Sequence, residues 1–113
     1  MKRTIPAFAL AFAFIASGAQ AATYKAAHAK YREADFVFVV VGSEFFGQAD
    51  AARERQLGAM RACAKKARLD GDVVIVASDK GRLRTYSDAK WTKFLQPLDW
   101  KWINARVNKK LTC

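Results

Sequence analysis

Cysteine, histidine and acid are the scarce chemistries in this 113-residue chain. With only two cysteines, Cys63 and Cys113, one intramolecular disulfide is the most the sequence can form. The single histidine, His28, has no partner at metal-ligand spacing and neither cysteine near it in sequence. That removes the usual zinc patterns, and neither metal nor cofactor is expected. Gly42-Ser43 with the later Gly47 superficially resembles a phosphate loop, but the lysine such a loop needs is missing and Glu44 would repel a phosphate. Repeats, low-complexity tracts and linkers are also missing, so one domain is expected. Past the amino terminus, no apolar run is long and uninterrupted enough to span a bilayer.

At the amino terminus, three zones follow one another. Lys2 and Arg3 are positive, Ile5 to Ala16 form an uncharged, mostly apolar run of twelve residues, and Ala19-Gln20-Ala21 places small residues where a signal peptidase reads. The pattern predicts a secretory signal over residues 1–21, cut after Ala21, and too short for a membrane anchor. The mature chain would be residues 22–113, secreted or periplasmic, with no integral span. Thiols are oxidised in such a compartment, so Cys63 and Cys113 are expected to pair internally; a disulfide-linked dimer and free thiols are the competing arrangements. Closing a loop of about 50 residues stabilises the fold by about 4 kcal/mol on the chain-entropy model. A domain this small buries only roughly 60–65% of its unfolded surface, so such a staple matters.

The fold class reads as α/β: a small single domain made of a β-α-β unit, an antiparallel hairpin strand and two C-terminal helices, stapled by one disulfide. Phe36–Val41 and Val73–Ala77 are unbroken runs rich in β-branched residues and phenylalanine, as expected of strands buried on both faces. Between them a helix is expected over about Ala49–Leu69, with Leu57, Met60, Ala64 and Ala67 as its apolar stripe and Gly71 closing it. Strand, helix, strand implies a parallel pair with a right-handed crossover. Gly81 then starts a hairpin return through Arg82–Tyr86. Ser87 or Asp88 is expected to cap a helix through Trp91, Phe94 and Leu95 that stops before Pro97. Asp99 is expected to cap a final helix with Trp100, Ile103, Val107 and Leu111 on one face. The stretch from Tyr24 to Ala34 is compatible with a helix, an irregular arm or an edge strand.

Charge is unevenly distributed. The whole chain carries +10, of which Lys2 and Arg3 would leave with the signal. Residues 22–79 hold nine bases and eight acids, whereas residues 80–113 hold nine bases against Asp88 and Asp99 alone. All three tryptophans, Trp91, Trp100 and Trp102, share that basic third. A concentrated positive field draws anions, and aromatics among the cations can stack on sugars or bases or sit at a membrane interface. The candidate anion-binding residues are therefore Lys80, Arg82, Arg84, Lys90, Lys93, Lys101, Trp102, Arg106, Lys109 and Lys110. If they form one surface, Arg82 and Arg84 should lie near the exposed side of the final helix. Trp100 is expected in the core and Trp102 off it.

Catalytic signals are weak. Ser78-Asp79-Lys80 sits at a glycine-containing turn, where serine and aspartate bond their own backbone. A hydrolytic site made from Ser43, Glu44, Ser78 or Asp79 at the strand ends is the least favoured reading. The sequence points instead to an exported, non-enzymatic domain that binds an anionic polymer, a membrane surface or an acidic protein through its C-terminal third. An accessory protein with one defined partner, such as an inhibitor or assembly subunit, is the alternative.

Overall fold

Two apolar strands form the centre. The computed structural model describes residues 22–113; the expected signal segment, residues 1–21, lies outside them. Strand β2 (Ala34–Val40) and strand β3 (Asp72–Asp79) pair in parallel, with Phe36 opposite Asp72 and Val40 opposite Val76. Their side chains alternate between two cores. Val37, Val39, Val73 and Ile75 face one layer, while Phe36, Phe38, Val74 and Val76 face the other. Burial on both sides accounts for the absence of polar alternation in either run.

Helix α1 (Asp50–Lys66) crosses between these strands and covers the first face with Leu57, Met60 and Ala64. Ala67 does not extend that stripe; it is the exposed residue that caps the helix. Nor does Gly71 close the helix. Arg68 turns left-handed at φ 61°, its N–H donates to the Lys65 carbonyl, and Leu69 N–H reaches back to Ala64. This is a Schellman closure, with Leu69 packed on the same core as Ala64. Gly71 serves the next turn. At φ 116° a Cβ there would sit 2.6 Å from the Asp35 carbonyl, so only glycine lets the chain pass β2 into β3.

The expected hairpin return is strand β4 (Arg82–Tyr86), antiparallel to β3 through a Lys80-Gly81 turn with both residues at positive φ. The ambiguous stretch after residue 22 is strand β1 (Thr23–Tyr31), antiparallel to β2, with Tyr31 opposite Ala34. It is an inner strand, because β5 (Lys109–Thr112) pairs antiparallel along its other side. The sheet order is β4-β3-β2-β1-β5. Alanine suits β1: Ala26 and Ala27 are fully buried on opposite faces, where a larger side chain would hold the layers apart.

The second face is covered by a 3-10 turn at Ala89–Trp91, α2 (Thr92–Leu95) and α3 (Trp100–Ala105). Asp88 accepts from Lys90 N–H at 3.2 Å and so caps the 3-10 turn that leads into α2 rather than α2 itself. Asp99 accepts from Trp102 N–H at 2.8 Å as the expected cap of α3. The final helix is shorter than its apolar spacing predicts. It ends at Ala105, and Leu111 belongs to β5, on the opposite side of the sheet from Ile103. The edge of β1 overrides the local helical period here, since four pairs, Thr23 with Thr112 to Ala26 with Lys109, satisfy its outer backbone groups. Cys63 and Cys113 form the disulfide that ties α1 to the end of β5, with Cα atoms 5.5 Å apart. Among the described residues, no helix is long and apolar enough to cross a membrane.

Candidate anion-binding groove

Asn108 sets the position of the last strand. Its N–H donates to the Ala26 carbonyl at 3.0 Å. Its side-chain Oδ1 accepts from His28 N–H at 2.9 Å, and its Nδ2 donates to the His28 carbonyl at 3.1 Å. The amide thus imitates one further residue of strand pairing before β5 begins, and fixes the register of Lys109 and Lys110. That register puts Lys110 directly opposite Lys25 on β1. Like charges facing each other across strands destabilise the pair. Between them and α3 lies an open groove of about 330 Å³ lined by Lys25, Asn104, Val107, Asn108, Lys109 and Lys110. Lys25 and Lys110 thus share one face with two amides and one apolar side chain, with no acid among the lining residues. Lys109, opposite Ala26 and in phase with Leu111, lines the groove from the strand and projects its side chain toward the α1 face. The chain's four carboxylate ion pairs among the described residues go elsewhere, to Lys30, Arg53, Arg84 and Lys90.

The ten residues expected to form one surface are not gathered together. Lys80, Arg82 and Arg84 lie at the β3–β4 turn and on β4, the opposite edge from Lys109 and Lys110. Four strand spacings separate these edges, roughly 19 Å. Arg82 and Arg84 therefore do not lie near β5, and Arg84 faces the α1 side of the sheet against Phe46, whereas α3 covers the other side. Arg84 is also occupied, 3.8 Å from Asp79 and stacked 4.7 Å over Phe46. Lys90 sits 3.8 Å from Asp72 and lies over the Trp91 ring. Lys93 and Lys101 are exposed. Arg106 lies 4.0 Å over Trp102, and its guanidinium donates to the Trp102 carbonyl.

Trp102, expected off the core, packs edge-on against Phe38 and Tyr31 and is half-buried. The other two tryptophans also pack on the second core. Trp91 adds an indole hydrogen bond to Asp72. Lys25 is the groove cation the sequence did not single out, and Asn104 and Asn108 are the uncharged residues it passed over. Lys25 lies in the balanced half of the chain, and only long-range pairing brings it to Lys110.

Ser43 and Glu44 lie in a 3-10 turn after β2, and Ser78 and Asp79 end β3. Among the described residues, no hydrogen bond joins either serine to Glu44 or Asp79, and Asp79 faces Arg84. His28 Nε2 lies 2.9 Å from the Asp70 carbonyl, which ties β1 to the segment after α1. A further polar cluster joins α1 to β4. The Tyr86 hydroxyl donates to Glu54, and Arg53 stacks on Tyr86 while bonding Asp50 and the Phe46 carbonyl. Glu54, as hydrogen-bond acceptor, raises the Tyr86 phenol above its ordinary value of 10.0.

The fold and groove together define a small α/β/α domain with one disulfide and a cationic sheet edge. Comparison with protein-family models, curated proteins and solved structures finds no match.

Proposed function

We propose that this chain is an exported, non-catalytic domain that binds an anionic envelope component or partner protein through the groove at β1, β5 and α3. The carrying observation is the pairing of Lys25 with Lys110, with Lys109 next to them on the same sheet edge, beside Asn104 and Asn108 in a groove lined by no carboxylate. Three cations held on paired backbone form a rigid positive site, whereas the same number of charges on flexible segments would have to be ordered by the ligand. Asparagine amides add donors for anionic oxygens and Val107 an apolar floor. The disulfide supports export, since such bonds persist in oxidising compartments. A mature chain beginning at Ala22 is expected in envelope or medium, and intact mass checks it. A product retaining Phe8–Phe14 would remove the export reading.

The binding test compares two sets of equal charge. Replacing Lys25, Lys109 and Lys110 by glutamine should weaken retention on heparin, with a flatter salt dependence as ionic contacts are lost. Replacing Arg55, Arg61 and Lys65, all exposed on α1, should matter much less. Equal losses from the two sets would mean that net charge alone governs binding, and the groove would be abandoned.

A further inference from the structure

Strand β5 is the edge of the sheet beside the groove, and its outer side has no strand partner among the described residues. Ala22 and Cys113 exchange both backbone hydrogen bonds. By the alternation of an antiparallel ladder, the backbone groups of Lys109, Leu111 and Cys113 point inward to β1. Those of Lys110 and Thr112 point outward. The free edge thus offers two N–H and two C=O groups in line, next to a lysine pair with no acid.

We infer that β5 receives an acidic extended peptide as a sixth strand. This rests on the anion-binding reading and names the partner's chemistry: a polypeptide segment with carboxylates at alternate positions. A strand laid along β5 places one row of its side chains on the face that carries Lys110 and Lys25. A carboxylate opposite Lys110 would then turn an unfavourable row of two like charges into an attractive row of three. Backbone pairing supplies affinity and the lysine row supplies selection, as in other cases of strand addition. The same lysines argue against a second copy of this chain as the occupant. Pairing β5 with another β5 would bring the lysines of two copies together along one edge, the usual way in which edge lysines prevent self-association. The other free edge is less suited. On β4, Arg84 is held by Asp79 and Phe46, so its charge is already answered within the chain.

The test uses the disulfide-bonded chain and a synthetic peptide of about eight residues in which glutamate alternates with threonine, long enough for one strand. Two further versions carry N-methyl groups, one on every glutamate and one on every threonine. Heparin, which has no peptide backbone, serves as the charge-only probe. Only one set of peptide N–H groups can face β5, so one methylated version should bind about tenfold more weakly or worse, and the other should bind like the parent. Amide exchange at Lys110 and Thr112 should slow on adding the parent peptide, while heparin leaves it unchanged. Equal binding by all three peptides without protection of Lys110 and Thr112 would overturn strand addition and leave the anion groove standing. Binding of heparin but not of the peptide would overturn it as well. Failure of both probes to bind would remove the anion-binding reading itself.

Discussion

Single residues decide where this small chain has room for chemistry. Arg53 and Tyr86 look like ordinary surface residues in sequence, yet they join α1 to β4 through Glu54, Asp50 and the Phe46 carbonyl. The Tyr86 phenol is shifted upward chiefly because its hydroxyl donates a hydrogen bond to the Glu54 carboxylate. The protonated phenol is the form the fold favours, so its contribution is fully present below pH 10. It is lost as pH rises through the elevated value. Glu54→Gln should bring the Tyr86 titration, followed by NMR at its ring carbon, back toward 10; an unchanged midpoint would mean that the hydrogen bond does not hold in solution. Because Arg53 belongs to this cluster, it is unsuitable as a charge control, and the exposed Arg55 and Arg61 serve instead. Gly71 is similar in kind: its role comes from the Asp35 backbone beside it, not from the helix it follows.

Among the elements, β5 depends most on its surroundings. It has four residues, pairs on one side only among the described residues, and buries Leu111 alone. A segment that short would fray without a tie. Asn108 secures one end through His28 and the disulfide secures the other. Cys113→Ser should therefore lower stability by about 2–4 kcal/mol, as loss of a typical native disulfide does. Denaturant unfolding measures the loss, and amide exchange should accelerate first at Leu111 and Cys113's neighbours in β1. A variant as stable as the parent, with β5 still protected, would show that Asn108 and Leu111 suffice. The helix expected over this segment fails for a related reason. Ile103, Val107 and Leu111 recur at helical spacing, but the outer edge of β1 pairs with Lys109–Thr112 and turns Leu111 into the opposite core from Ile103. The expected caps at Asp88 and Asp99 were legible because a cap is a local bond between a side chain and an N–H two or three residues on.

At the scale of the whole molecule, the sheet divides the charge. The basic third occupies both edges, with Lys80, Arg82 and Arg84 at one and Lys109 and Lys110 at the other. Anion binding should follow the β5 edge. Replacing Lys80 and Arg82 by glutamine should leave heparin retention close to that of the parent, whereas replacing Lys109 and Lys110 should reduce it, measured as elution salt on the same column. Greater loss from the β4 edge would place the binding surface there instead.

The βαβ unit, the hairpin after it and the cysteine pairing were written in local composition. Apolar runs long enough to be buried on both faces, a helical stripe between them, and only two thiols in the chain leave few alternatives. Those features depend on neighbours within a few turns of chain, or on simple counting. The identity of β1, the conversion of the last helical spacing into a strand, and the meeting of Lys25 with Lys110 were decided by tertiary structure alone. Each depends on which backbone edge finds a partner some 80 residues away along the chain, as His28 finds Asn108, and hydrogen-bond pairing of an open edge outweighs the weak local preference of an alanine- and lysine-rich segment.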